Sequence, residues 1–220
     1  MPKNQVDAEV MLGQLMAAGY QITDAPDQAD LVVVNTCSFI REAKEESIRT
    51  ILEAAALKRT GRCQALVVSG CLPQRYGMEL PTLLPEVDAF VGTGEFPRIA
   101  DIAGVALRRR TRDRVWVTGH TALVTADLPR RLLTPGHIAY VKISEGCDRT
   151  CSFCAIPGIR GRFQSRKLES LVLECEALAA AGVKEINLIA QDQTSWGKDL
   201  PGRPKLAGLL RRLDQTEGIE

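Results

Sequence analysis

No apolar run in these 220 residues approaches the roughly 18 needed to cross a bilayer, and the opening Met-Pro-Lys-Asn-Gln lacks the apolar core of a signal peptide. A cytoplasmic protein with no membrane partner is the expectation. Net charge is almost absent: Lys plus Arg number 28 against 27 Asp plus Glu, giving +1. No global field therefore draws in nucleic acid or acidic lipid, and any such partner must be held locally. Repeats and low-complexity segments are missing too. With 45% hydrophobic and 25% charged residues, 18 Gly and 11 Pro, the composition excludes collagen, coiled coil and a mostly disordered chain. Histidine is scarce, at two residues, but cysteine is not, at seven. In a reducing compartment such thiols point to metal ligands or redox centres rather than to disulfides.

Residues 6 to 18 place Val6, Val10, Leu15 and Ala18 at helical spacing, and Leu31 to Val34 is a short apolar run suited to a buried parallel strand. The alternation continues with an amphipathic stretch from Glu42 to Leu57, a second apolar run from Ala65 to Val68 and a third from Ala89 to Val91. Helix alternating with short buried strand predicts a doubly wound parallel α/β layer over residues 1–104. Residues 105–136 read as a linker, opening on the basic run Arg108 to Arg114, which is most simply a solvated face. A second unit, 137–220, starts with the strand-like Ile138 to Ile143. It continues through a cysteine loop, a helix from Leu168 to Ala181 that Gly182 can cap in the left-handed conformation, a strand from Glu185 to Ala190 and a helix from Leu206 to Leu213. These are two βα units, the building block of a barrel or an open parallel sheet.

Cys147, Cys151 and Cys154 form a Cys-x3-Cys-x2-Cys set directly after the first strand of the second unit. Thiolates so grouped select zinc or an iron–sulfur cluster. Structural zinc wants four protein ligands, and neither His120 nor His137 is an obvious fourth. Three thiolates on a four-iron cluster leave one iron open to a substrate or cofactor. Cys37 and Cys71 each follow an apolar run, Leu31-Val-Val-Val-Asn-Thr and Ala65-Leu-Val-Val-Ser-Gly. They lie at the carboxyl ends of parallel strands, where open α/β sheets bind ligands. They are candidates for a second metal site, with ordinary buried thiols as the plain alternative. Cys63 and Cys175 read as bystander or core residues, and Gly92-Thr-Gly94-Glu as a turn.

The stretch Ile143-Ser-Glu-Gly-Cys147-Asp-Arg-Thr-Cys151-Ser-Phe-Cys154, followed by Ile156-Pro157-Gly-Ile-Arg160-Gly161, resembles the radical S-adenosylmethionine (SAM) signature of the methylthiotransferases. Pro2-Lys-Asn-Gln-Val-Asp-Ala-Glu9, Asn35-Thr-Cys37-Ser-Phe-Ile40 and Ser69-Gly-Cys71-Leu72 resemble the same family's N-terminal domain, so the likeness covers most of the chain. The opening and the Lys-Ile-Ser-Glu-Gly-Cys run resemble the RimO type, which modifies an aspartate of a small-subunit ribosomal protein, better than the tRNA-modifying types.

The resemblance implies a flavodoxin-like domain followed by the first part of a radical SAM barrel, of TIM type. It implies that Cys147, Cys151 and Cys154 hold a [4Fe–4S] cluster whose open iron chelates SAM. One electron, from a donor such as flavodoxin or ferredoxin, then cleaves SAM to methionine and a 5′-deoxyadenosyl radical that abstracts hydrogen from the substrate. Phe153 is implied beside the cluster and SAM. Gln191 and Asp192, ending the next strand, are candidates for lining the SAM site, with loop capping as the alternative. In the family a second [4Fe–4S] cluster sits on three cysteines of the N-terminal domain, two of which match Cys37 and Cys71. The third falls at the place of Met1, and the strand before it is absent, so the start is expected to be truncated or wrongly assigned. The other end is expected to be short as well, since a full barrel takes about 250 residues. Two other classes stay open: a tRNA methylthiotransferase, which salt-sensitive tRNA binding would favour, and a non-catalytic iron–sulfur or zinc protein.

Overall fold

The computed structural model describes residues 2–108, 113–119 and 121–219. Four of the seven residues in the basic run Arg108 to Arg114 thus lie outside the described residues, as do Met1 and His120. Contacts divide the chain into two compact units. Met11–Ala122 form one, and the residues before Met11 together with those from Leu123 onward form the other. The first turns of the opening helix, α1 (Pro2–Ala17), belong to the second of these. No helix among the described residues is long and apolar enough to cross a membrane.

The Met11–Ala122 unit is a parallel sheet of β1 (Leu31–Thr36), β2 (Ala65–Gly70), β3 (Ala89–Val91) and β4 (Val115–Trp116), in that spatial order. β1 and β2 pair in parallel along their whole length, from Leu31 opposite Ala65 to Thr36 opposite Gly70. All six residues of β2 are buried. Successive side chains of a strand face opposite sides, so this requires cover on both faces. On one face Val34, Leu66, Val68 and Phe90 pack with Ile51 and Ala54 of α2 (Arg41–Thr60), Leu72 of α3 (Cys71–Tyr76) and Leu80 of α4 (Leu80–Leu83). Elsewhere on the sheet α5 (Ile99–Arg108) packs against β2 and β3, burying Ile99, Ile102, Ala103 and Ala106. β4 was not visible in the sequence, because two residues carry no period.

The other unit is built on β5 (Ile138–Lys142), paired in parallel with β8 (Glu185–Ile189). α7 (Leu168–Ala180) and α8 (Leu206–Leu213) cover it, and Ala139, Val141, Ile143, Leu171, Cys175, Leu178, Trp196 and Leu209 form its core. Gly182 follows α7 at φ +95°, the expected left-handed stop. A two-residue ladder, β6 (Ser144–Glu145) antiparallel to β7 (Gln164–Ser165), closes the base of the cysteine loop, which also carries α6 (Ile156–Arg160).

Phe90 is fully buried at the centre of the first sheet. Phe90→Ala is expected to cost about 3–5 kcal/mol, read as a lowered midpoint in urea unfolding of that unit.

Candidate active site

Parallel strands with helical crossovers send their carboxyl ends to one edge of a sheet, and in each unit the cysteines follow the carboxyl ends of that unit's own strands. In the first sheet the last paired residues are Thr36 and Gly70, so Cys37 and Cys71 are the next residue on each of two neighbouring strands. Cys37 is half-buried and Cys71 buried, and neither is in a disulfide. Their backbones are held from two sides. The Cys37 amide donates to Ser47 Oγ at 3.1 Å, and Ser38 Oγ donates to the Cys71 carbonyl at 2.9 Å. Gly70 sits at φ +103°, where a Cβ would lie 2.6 Å from the Thr36 carbonyl, so only glycine lets the two strand ends come this close.

In the other unit the loop between β6 and β7 presents Cys147 buried, Cys154 half-buried and Cys151 exposed, all three as free thiols. Cys154 N–H donates to the Cys151 carbonyl at 3.1 Å, and Cys147 N–H to the Gly161 carbonyl at 3.1 Å, which ties the start of the loop to its end. Gly146, at φ +72°, faces the returning chain so closely that a Cβ would meet Arg162 O at 2.1 Å. Among the described residues no group of three or more His, Cys, Asp or Glu converges as a single ion demands. A four-iron cluster takes each thiolate on a different iron and asks for less convergence, so three free thiols on one loop suit it better than zinc. By contrast Cys63 and Cys175 are poor ligands. Burial pushes the Cys63 thiol up and that of Cys175 up to about 12, disfavouring the thiolate a metal requires.

The remaining candidates fall in different settings. Phe153 is 87% exposed, standing out from the loop rather than packed in it. Gln191 lies just past β8, and its Nε2 donates to the Glu145 carboxylate. Its Oε1 is buried with no hydrogen-bond partner, an acceptor suited to a ligand that brings a donor such as an ammonium group. Asp192 accepts from Ser195 Oγ and Thr194 Oγ1, each at 2.8 Å, and pairs with Arg149 of the cysteine loop at 2.8 Å. It therefore caps the turn after β8 and latches the loop between Cys147 and Cys151. Burial would push its carboxyl up, but the hydrogen bonds from Ser195, Arg149 and Thr194 and the guanidinium charge outweigh that and hold it at about 2.

Sequence reasoning missed the charges beneath this loop. Lys142, Glu145 and Arg160 are fully buried and meet Asp7 of α1. Lys142 Nζ lies 2.7 Å from Asp7 Oδ1, Arg160 Nη1 lies 2.8 Å from Asp7 Oδ2, and Glu145 pairs with both cations. Burial alone would raise both carboxyls, yet the adjacent ammonium and guanidinium hold Asp7 and Glu145 below the usual carboxylate range. No local signal marks such a set, because each partner is an ordinary charged residue until the fold gathers them. The hint was that Asp7, Lys142, Glu145 and Arg160 all fall within the motifs that carry the family resemblance.

A three-cysteine loop at the strand ends of a parallel β5–β8 pair is the arrangement that the resemblance to radical SAM enzymes implied. A solved radical SAM methyltransferase, TsrM from Kitasatospora setae with a tryptophan substrate and a SAM analogue bound, shares the fold at TM-score 0.62 over 96% of this chain and 48% of its own, with 16% identity. Residues 2–92 match the profile described as "Uncharacterized protein family UPF0004". Over all 220 residues the chain is 51% identical to the ribosomal protein uS12 methylthiotransferase RimO of Citrifermentans bemidjiense, covering 49% of that protein. It is 52% identical over 218 residues to its counterpart in Geobacter sulfurreducens, covering 48%. Over its whole length the chain is similar to relatives named as RimO methylthiotransferases, and it spans about half the length of those curated relatives.

The Asp192 carboxyl, held near 2 in the fold against about 3.9 in an unfolded chain, stabilises the native state fully above pH ~4 and loses that contribution as pH falls toward 2. Asp192→Asn should therefore be less stable than wild type near pH 6, with the gap closing between about pH 4 and pH 2. Urea unfolding at a series of pH values measures it.

Proposed function

We propose that the chain is part of a radical SAM methylthiotransferase that adds a methylthio group to an aspartate side chain of a small-subunit ribosomal protein. The observation that carries this reading is the loop of three free thiols, Cys147, Cys151 and Cys154, rising from a glycine-pinched base at the carboxyl end of β5. The 51% and 52% identity along this chain to RimO relatives supports the same reading. Cys147, Cys151 and Cys154 would hold one [4Fe–4S] cluster, and Cys37 and Cys71 would supply ligands to a second. The third ligand of that second cluster falls, by resemblance, at Met1, outside the described residues.

When bound, the first cluster and SAM supply a 5′-deoxyadenosyl radical able to take hydrogen from an unactivated carbon, which no side chain can do. This chain's own residues bind and orient. Gln191, fixed by Glu145 so that its Oε1 stays free to accept, would receive the SAM ammonium. Asp192 would keep the loop closed over the strand ends through Arg149. Phe153, exposed on the loop, would cover bound SAM. The electron comes from a small carrier such as flavodoxin or ferredoxin, the setting is the cytoplasm, and residues 1–104 and 137–220 carry the two clusters on either side of a linker.

Iron and sulfide per chain after anaerobic reconstitution test this, with Cys147→Ala and Cys37→Ala alongside wild type and SAM cleavage assayed in each. Cys147→Ala should lose about four irons together with all 5′-deoxyadenosine formation, whereas Cys37→Ala should keep cleavage. Bound zinc, or iron indifferent to Cys147→Ala, would refute the reading in favour of a non-catalytic metal protein.

A further inference from the structure

The cysteine loop is anchored at both ends in one buried set of charges. Glu145 immediately precedes Gly146 and Cys147 at the loop's entry, and Arg160 ends α6 near its exit. Between them, from an element more than a hundred residues earlier, comes Asp7. Its two carboxylate oxygens are divided, Oδ1 to Lys142 and Oδ2 to Arg160, and Asn4 Oδ1, one helical turn before it, accepts from Arg160 Nη2 at 2.6 Å. Two cations and two anions balance. If Asp7 were neutral, Lys142 and Arg160 would lose a carboxylate that both of them pair with here and would lean harder on Glu145. Glu145 also accepts from the Gly146 amide at 3.2 Å and from Gln191. Drawing its oxygens further toward both cations would pull on the first turn of the loop and on Gln191 together. A second set, Glu9 with Arg130 and Glu174 with Arg130 and Arg166, is also largely buried, and none of these ion pairs includes a residue of the loop between Gly146 and Phe163. It supplies a control of the same physical kind.

From this geometry we infer that Asp7 is a positioning residue for the radical SAM loop: its carboxylate balances Lys142 and Arg160, which leaves Glu145 free to hold the loop's entry and Gln191. The inference rests on the cluster assignment above. It also gives the opening Pro-Lys-Asn-Gln-Val-Asp-Ala-Glu motif a task in the unit that carries Cys147.

The test uses the 220-residue chain as Cys147→Ala, Asp7→Asn, Glu9→Gln and the charge-balanced double variant Asp7→Asn with Lys142→Met, each reconstituted anaerobically beside wild type. Cys147→Ala identifies the iron of this loop; if that variant loses none, the cluster assignment itself fails, independently of Asp7. With that iron identified, Asp7→Asn should lower its retention against a chelator by about tenfold, the size expected when a partner behind a metal ligand is removed. The change in the reduced cluster's electron paramagnetic resonance spectrum on adding SAM should disappear with it. Glu9→Gln should lower the melting temperature yet leave iron retention and the SAM-induced spectral change intact, which separates positioning from general destabilisation. The double variant should fold and recover most of both readouts, and it decides the matter if Asp7→Asn alone does not fold. Wild-type iron and an unchanged spectrum in Asp7→Asn would overturn the inference. So would an equal loss in Glu9→Gln, or a folded double variant that still holds no cluster.

Discussion

Asp7, Lys142, Glu145 and Arg160 are shut away from water together, and each exists as a charge only because the others are there. Desolvating one such ion costs several kcal/mol, so a buried set persists only when its charges balance and its remaining lone pairs and protons are met. Here they are met by Asn4, the Gly146 amide and Gln191, the groups that lead from α1 to the cysteine loop. The first turns of the opening helix are thereby committed to the unit that contains Cys147, whatever their place along the chain. Glu9 repeats the commitment, with Arg130 bound through both Nε and Nη2 and passed on to Glu174.

Above this fixed floor the loop keeps few regular hydrogen bonds of its own. Two parts result, a base fixed by buried ion pairs and a rim with few backbone hydrogen bonds. The short β6–β7 ladder and Gly146, whose lack of a side chain lets the returning strand pass, form the boundary between the two. In the first sheet the same division recurs in simpler form. Hydrogen-bonded strands stop at Thr36 and Gly70, and one residue later the chain presents Cys37 and Cys71. The cysteines placed inside cores behave differently. Cys175, packed under α7 with a thiol pushed to about 12, is chemically quiet.

The regular elements were legible in the sequence because their physical cause is periodic. Val6, Val10 and Leu15 repeat at helical spacing, and the runs at Leu31, Ala65 and Ala89 are the unbroken apolar segments that a strand covered on both faces must have. All became elements of the expected type. The two-residue strands β4, β6 and β7 were not legible, since they exist through pairing with a distant partner and carry no pattern of their own. Among candidate site residues the three-cysteine loop was legible from spacing alone. Asp192 could be placed at the strand end, but its role as a latch to Arg149 could not, because the two lie 43 positions apart.

The sequence by itself therefore determined where helices and buried strands form, which thiols share a loop, and that the chain resembles the methylthiotransferases, all properties carried by neighbouring residues. Tertiary structure alone decided which charges meet. Asp7 lies 135 residues from Lys142 and 153 from Arg160, and nothing local distinguishes it from a solvated carboxylate. Only burial makes the pairing obligatory, because only there does an unmatched charge cost more than the fold can bear.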